Sequence, residues 1–266
     1  MDNRCTVSAA CLLATLLIAP LAAQQAPAPT ASTPSPKDTE VWEPEPTRVT
    51  PGSTDAAAPS DAVVLFDGTT LDQWVNVKGG GPAGWTVADG VFTVNKPVGN
   101  IQTKRSFGSY QLHIEWRVPA NITGKDQGRG NSGVFLASIG DGDGGYELQI
   151  LDSFNNRTYA NGQAASIYKQ AIPLVNAMRK PGEWNTYDVI WTAPAFNSDG
   201  SLRSAARVTV LHNGVLVQNH LALTGETLYI GRPSYKAHGA TPIKLQAHGD
   251  PSDPLSFRNV WVRELK

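Results

Sequence analysis

The sequence predicts an all-β sandwich over residues 61–266, a stretch of about 206 residues. Three observations carry that expectation. From Asp61 onward, short runs rich in β-branched and aromatic residues alternate with clusters of Gly, Asn, Asp and Pro. Such runs suit a pleated, half-buried surface, and the clusters supply turns. No apolar spacing of 3.6 residues persists beyond one or two turns, so no long amphipathic helix is expected. Finally, His212-Asn213-Gly214-Val215 is a hairpin signal, because Asn-Gly tolerates the positive φ of a type I′ turn. Many short strands with regular turn signals and no internal repeat indicate a sandwich rather than a propeller.

The elements read as follows. Residues 1–23 have the pattern of an export signal: Arg4, an apolar stretch over 9–19 broken by Thr15, then Pro20-Leu21-Ala22-Ala23 before Gln24-Gln25. The stretch 9–23 falls short of the roughly 20 residues a helix needs to span a bilayer, so no stable membrane span is expected. The two cysteines, Cys5 and Cys11, both lie in this segment. Cys11 stands near the start of the apolar run, where a lipid anchor would not use it. The remaining chain therefore has no disulfide framework, thiolate zinc site, cysteine nucleophile or iron–sulfur cluster. Cleavage near Ala23 would leave a thiol-free protein suited to a periplasmic or extracellular location.

Residues 24–60 form a linker with prolines at 27, 29, 34, 36, 44, 46, 51 and 59. A segment so poor in apolar residues is expected to be disordered or extended, and Val41-Trp42 is the one apolar pair able to dock. The strand runs then fall at 63–66, 85–87, 91–94, 110–118, 133–138, 146–151, 187–192, 207–212, 214–218, 243–248 and 257–265. The formal net charge of -1 lacks the basic footprint of a nucleic-acid binder. Oligomeric state is not legible.

Alternation sorts these runs into faces. Leu112, Ile114 and Trp116 share one face, and His113, Glu115 and Arg117 the other. Tyr146, Leu148 and Ile150 read as core, with Glu147 and Gln149 pointing away. Ile243, Leu245 and Ala247 face in, while Lys244, Gln246 and His248 face out. An antiparallel sheet often has one wet face, but this set is heavy in groups that bind sugars or move protons. Two Gly-rich loops flank it, Gly128-Arg129-Gly130-Asn131-Ser132-Gly133 and Gly140-Asp141-Gly142-Asp143-Gly144-Gly145. Glycine lets a backbone approach a ligand closely.

Glu147-Leu148-Gln149-Ile150-Leu151-Asp152 looks like a degenerate Glu-x-Asp-x-x-Glu strand of sandwich-fold β-glucanases. A two-carboxylate glycosidase could pair Glu147 with Asp152 or Glu115, given the separations of roughly 5–9.5 Å such pairs need. Asp141-Gly142-Asp143-Gly144 resembles part of a calcium loop but lacks the later ligands and the bidentate Glu. It reads more readily as a plain Gly-rich hairpin loop. There is no P-loop, dinucleotide fingerprint or HExxH motif, and the serines lack a nucleophile-elbow context. Asn121-Ile122-Thr123 and Asn156-Arg157-Thr158 match the glycosylation sequon.

A series of segments, in order, resembles one family. Leu65-Phe66-Asp67-Gly68-Thr69-Thr70-Leu71-Asp72-Gln73-Trp74 opens the series. Gly130-Asn131-Ser132-Gly133-Val134-Phe135-Leu136, Tyr146-Glu147-Leu148-Gln149-Ile150-Leu151-Asp152 and Ser166-Ile167-Tyr168-Lys169-Gln170 follow. Pro181-Gly182-Glu183-Trp184-Asn185-Thr186-Tyr187 and Asn213-Gly214-Val215-Leu216-Val217 come next. Ile243-Lys244-Leu245-Gln246-Ala247-His248-Gly249 and Phe257-Arg258-Asn259-Val260-Trp261-Val262-Arg263 close it. Together they resemble the 3-keto-disaccharide hydrolase domain family, and the resemblance covers residues 61–266. It implies a concanavalin A-like jelly-roll and activity on 3-keto glycosides, so the partner expected is an oligosaccharide or glycoside.

The chemistry so implied differs from ordinary hydrolysis. A ketone at C3 acidifies the C2 proton; a base removes it, the C1 substituent leaves, and water can add to the enone. One base, one group for the enolate oxygen and help for the leaving group suffice. His248 is the candidate base, since imidazole exchanges a proton near neutral pH; Glu147 is the second, as base or metal ligand. Gln149, Gln246 and Asn131 are candidates for binding hydroxyls, with Glu115 and His113 on a polar row, and Lys169 or Arg129 for the enolate. No cofactor is certain; the resemblance admits a divalent metal ion across Glu147 and His248, which no spacing shows. Tyr168, Phe135 or Trp85 would supply a stacking platform, while Trp116, Trp184, Trp191 and Trp261 read as core. Two other readings remain: a conventional two-carboxylate glycoside hydrolase, and a non-catalytic carbohydrate-binding module on the same architecture.

Overall fold

The structure is a computed structural model, and it describes residues 33–265. The segment read as an export signal, and residues 24–32 of the segment read as linker, lie outside the described residues. The chain divides into two compact units, Met1–Thr47 and Arg48–Lys266. In the described part of the first, a single 3-10 turn, Pro36–Thr39, is capped by Ser35, and Val41 and Trp42 are exposed.

The second unit is all-β. Its strands are β1 (Val63–Phe66), β2 (Trp74–Asn76), β3 (Thr86–Ala88), β4 (Val91–Thr93), β5 (Ile101–Thr103), β6 (Tyr110–Arg117), β7 (Ser132–Ser138) and β8 (Gly145–Ile150). Then come β9 (Asn185–Thr192), β10 (Ala195–Phe196), β11 (Leu202–Ser204), β12 (Arg207–His212), β13 (Val215–Ala222), β14 (Lys244–Leu245) and β15 (Ser256–Glu264). An 8-stranded antiparallel sheet runs β13-β12-β9-β6-β15-β4-β3, with β1 paired on β15; a 5-stranded sheet runs β2-β5-β14-β7-β8. This is the jelly-roll sandwich. Its core lies between the sheets, where Leu112, Ile114 and Trp116 of β6 and Tyr187 and Val189 of β9 meet Val134 and Leu136 of β7 and Tyr146, Leu148 and Ile150 of β8. The alternation in each strand puts these side chains inward and their neighbours outward.

The β12–β13 hairpin turns through Asn213 and Gly214 at φ 53 and 78, as a type I′ turn requires. Strands β2, β5, β10 and β11 carry only two or three residues each, too few for alternation to reveal. The predicted 243–248 strand shrinks to β14, because after Leu245 pairing continues only through the Gln246 N–H to the Gly133 carbonyl.

Part of the segment read as linker lies against the larger sheet. The Ala56 carbonyl accepts hydrogen bonds from Asn259 and Trp261, and Arg263 pairs with Asp61 at 2.7 Å. This cover explains the placement of two candidate site residues. His113 and Glu115 sit on the outer face of β6, in the 8-stranded sheet, not with the polar row of β8 and β14. His113 contacts Asp188 at 2.7 Å and Glu115 at 3.6 Å and stacks on Trp261; Glu115 accepts from Arg258 and Asn259. Both are held as a structural ion cluster, because alternation identifies a strand's face but not its sheet. Trp184, read as core, is instead half-buried between the guanidinium groups of Arg117 and Arg258. Among the described residues no helix is long and apolar enough to cross a membrane.

Candidate active site

The outer face of the 5-stranded sheet gathers the chemistry. Antiparallel register lines up Lys244, Phe135 and Glu147 as one row across β14, β7 and β8. The next outward row is Gln246, Gly133 and Gln149, the first joined by its N–H to the Gly133 carbonyl at 3.0 Å. Gly133 has a definite task there. A Cβ at this position would lie 2.5 Å from Glu147 Oε1 and 3.0 Å from its Cγ and Cδ. The missing side chain is the space the Glu147 carboxyl occupies.

These rows floor a cavity of about 160 Å³, lined by Asn131, Asp143, Glu147, Gln149, Tyr168, Thr227, Tyr229, Gln246 and His248. Most ligand pockets hold roughly 300–1,000 Å³, so this one suits a single ring. A larger hollow of about 540 Å³ beside Gln170, Ile172 and Gln218 has no ionisable side chain in its lining.

Glu147 is 5 % exposed, and none of the described residues hydrogen-bonds its carboxyl. Burial pushes its acid up to about 8, with the Asp143 charge adding and Lys244 opposing. Its backbone is fixed on both sides: its N–H donates to Thr227 Oγ1 at 3.0 Å, and its carbonyl accepts from Tyr168 at 3.2 Å. Gln149 donates to Asn131 Oδ1 and to the Ile150 carbonyl, which turns its Oε1 to accept elsewhere. Asn131 is tied to the Gln127 carbonyl at 2.8 Å. Gln246 Oε1 is buried and has no partner among the described residues.

His248 lies just past β14. Its Nδ1 is 3.1 Å from Asp250 Oδ2, and the Asp250 side chain is 2 % exposed against 36 % for His248. Asp250 Oδ1 accepts from the Ser252 N–H at 2.9 Å and from the Ser252 hydroxyl. Lys96 Nζ stands 3.4 Å from Oδ2 and donates to the Asp250 and Ser252 carbonyls. Burial opposes ionisation of Asp250, but the bonds from His248 and Ser252 and the Lys96 charge outweigh it, holding the acid below its ordinary value. Asp250 thus orients the imidazole through one nitrogen, Nδ1, which meets both its carboxylate and, at 3.2 Å, its backbone N–H; the carboxylate takes the proton of the Nδ1–H form, and the other nitrogen is left for the cavity.

Lys244 is fully buried and donates to the carbonyls of Gly142 and Gly144, each at 2.7 Å. Its Nζ stands 4.3 Å from the Phe135 ring centroid. Burial lowers its pKa to about 8, against the pull of Asp143 and Glu147. The cation gripped by the Asp-Gly-Asp-Gly loop is this ammonium.

The structure brings together Glu147, Gln149, Gln246, Asn131, Tyr168 and His248. Besides His113 and Glu115, it leaves Arg129 off the cavity, 2.6 Å from the wholly buried Asp152 in an ion contact without hydrogen-bond geometry. Lys169 stands behind the wall, donating to the Tyr229 carbonyl at 2.6 Å. Asp152 and Glu115, the suggested second carboxylates of a glycosidase, do not line the cavity. Trp85 and Phe135 are core and floor, not stacking platforms: Trp85 packs on Phe92 and Phe257, and Phe135 lies under Lys244. Thr227, Tyr229 and Asp250 join the site without a sequence expectation, and Asp143 and Lys244 join it from a loop and a polar row for which the sequence assigns them no role at the site. His248-Gly249-Asp250 carries a usable signal in its spacing, and Lys244 lies on the polar row; Thr227 and Tyr229 come from a loop with no periodicity. Among the described residues no three His, Cys, Asp or Glu side chains form a group that could hold a metal ion. Glu147 and His248 are fewer than the three protein ligands a catalytic zinc site supplies, so the donor set does not fit such an ion.

The chain is similar to proteins of known structure. A candidate glycosyl hydrolase from Parabacteroides distasonis, solved at 2.13 Å, is 58% identical, with a TM-score of 0.81, over 87% of this chain and 97% of that one. A second candidate glycosyl hydrolase from the same organism, 20% identical over 77% of this chain and 94% of that one, shares the fold with a TM-score of 0.55. No curated protein matches the chain. Residues 61–263 match the model of the 3-keto-alpha-glucoside-1,2-lyase-like domain, and the chain belongs to that family of carbohydrate-active enzymes.

Proposed function

We propose that the protein cleaves 3-keto glycosides by removing the C2 proton and expelling the C1 substituent. The observation that supports this most is one base and one acid on a single-ring cavity: His248 oriented by buried Asp250, and Glu147 with its acid pushed up to about 8. In this reading the free nitrogen of His248 takes the C2 proton. The C1–O bond breaks, its electrons go to the leaving oxygen, and that oxygen takes the proton held by Glu147. The C2–C1 double bond that forms is conjugated with the C3 ketone. Asn131 and Gln246 supply amide N–H groups for the enolate oxygen that develops at C3. Glu147 is mostly protonated at neutral pH, which suits a general acid better than a nucleophile. We propose further that the enzyme works after export, in the periplasm or outside the cell, and that whether water then adds to the enone decides between lyase and net hydrolase outcomes.

The test is to incubate the protein with a 3-keto disaccharide and with its unoxidised parent. Consumption of the keto sugar alone supports the reading. Turnover of the parent sugar instead points to a conventional glycosidase, and saturable binding without turnover of either points to a binding module.

A further inference from the structure

A cavity of about 160 Å³ takes one ring, so whatever the glycoside carries at C1 must lie outside it. Two flanks are open, and they differ in chemistry. On one side Asp143 also borders a hollow of about 440 Å³ whose lining is mixed, with the charged Lys78 and Asp141 and the amide of Asn100 beside Val77, Pro97 and Val98. On the other, Leu228, Tyr229 and Ile230 are 39 %, 70 % and 82 % exposed. Tyr229 itself lines the cavity, so this apolar strip is continuous with the sugar site.

The strip is exposed, yet it is tethered. The Thr227 N–H donates to the Gly145 carbonyl at 2.7 Å, and the Glu226 backbone N–H donates to the Ser234 carbonyl at 3.0 Å. Gln170 grips Gly225 and Thr224. Lys169 Nζ holds the Tyr229 carbonyl and stands 4.1 Å from the Tyr229 ring centroid. Tyr159 and Tyr168, their hydroxyls 2.6 Å apart, place two more rings 5.7 Å from the same ammonium. Large apolar side chains fixed in water beside a polar pocket mark a contact surface, and fixing them beforehand removes the entropy cost of ordering them on binding.

Resting on the reading of the cavity as a glycoside site, we propose that Tyr229 and Ile230 form an aglycone subsite for an aromatic leaving group. The sugar ring occupies the cavity above Gly133, and an aryl group attached at C1 lies on the Tyr229–Ile230 strip. A flat ring gains offset or edge-to-face contact with Tyr229 and buries apolar area against Ile230 that a second sugar, with its hydroxyls, would not.

Titration calorimetry on the whole protein with phenyl glucoside and methyl glucoside tests this without depending on turnover. The wild type is expected to bind the phenyl compound about tenfold more tightly. The Tyr229→Ala/Ile230→Ser variant is expected to bring the ratio below about threefold, and Tyr229→Phe to retain it. An unchanged ratio in the double variant, or no phenyl preference in the wild type, overturns the subsite. Binding of neither compound overturns it too. A parallel assay with 3-keto phenyl glucoside and a 3-keto disaccharide separates the two ideas. Inertness toward both, with the phenyl preference intact, sinks the elimination chemistry and leaves the subsite standing.

Discussion

At Glu147 the cost of burying a carboxylate supplies the acid that the proposed elimination calls for. The side chain lies in the gap left by Gly133, without a hydrogen-bond partner among the described residues, and its acid sits near 8 instead of 4.5. In the proposed elimination, removing the C2 proton needs His248 in its basic form, and protonating the leaving oxygen needs Glu147 in its acidic form. Turnover is therefore expected to fall as pH rises through about 8. Glu147→Gln should remove that alkaline limb and cost about 10²- to 10⁴-fold in kcat/KM on a substrate with an alkoxide leaving group, and much less on one with a phenolate. His248→Ala should cost about 10²- to 10⁴-fold with every leaving group, and Asp250→Asn less than that while displacing the pH profile. A pH–rate series on the three variants checks all of this. The same substitution bears on stability. Because the folded-state pKa of Glu147 is raised above its ordinary 4.5, the favourable contribution is complete below 4.5 and is lost as pH rises through about 8. Glu147→Gln should therefore leave Tm little changed at pH 5 and raise it at pH 9, by about 2–4 °C for each kcal/mol recovered. At this scale much was legible: alternation in two short runs put Glu147, Gln149, Gln246 and His248 on polar faces. It missed Thr227 and Tyr229, because a loop tethered by backbone hydrogen bonds carries no period to read.

Strands decide which polar rows meet. Runs 110–118 and 146–151 alternate equally well, yet β6 lies in the 8-stranded sheet and β8 in the other. A sandwich has two outer faces, stacked sheets lie about 10 Å apart, and periodicity says nothing about which sheet a strand joins. His113 and Glu115 therefore serve β6, β9 and β15 as a cross-strand cluster under the Ala56 segment. Burial works against a charged His113, but the bonds and charges of Asp188 and Glu115 prevail and raise its pKa from 6.5 to about 9. The sign follows: this stabilisation is complete below 6.5 and is lost as pH rises through about 9. In a Glu147→Gln background, where the rise in stability that Lys244 adds above about pH 8 is common to both proteins compared, the His113 contribution should still lower urea midpoints between pH 7 and 10. Adding His113→Gln should flatten that fall, and a midpoint that drops equally in both would refute the assignment. Strand β7 supplies the second expectation. Gly133→Ala would push a methyl group against the Glu147 carboxyl. Overpacking of this kind costs about 1–3 kcal/mol, so Tm should drop by a few degrees, while misplacing the acid should lower turnover at least about tenfold. Melting curves and rates on one preparation distinguish loss of the fold from loss of the acid.

For the molecule as a whole, the distribution of residue types along the chain makes a claim that the domain itself does not. All thiols lie before residue 12, and the residues from 61 on build a complete two-sheet core without one. A buried cysteine packs as well as other small apolar residues, so packing did not require their exclusion. Exclusion is what an oxidising compartment favours, where a lone thiol pairs with a foreign one. If export removes residues up to about Ala23, the mature enzyme has neither Cys5 nor Cys11. The exported protein should then begin near Gln24 by N-terminal sequencing, bind no thiol reagent even when denatured, and melt at one temperature with or without reductant. Recovery of the mature activity from the cytoplasmic fraction with Met1 and both thiols in place would refute export. In that case the cysteine-free domain would need a reason other than its compartment, and its sandwich, closed by apolar packing and by the Tyr110 and Tyr187 hydroxyls bonded across to the Leu136 and Gln149 carbonyls, supplies none.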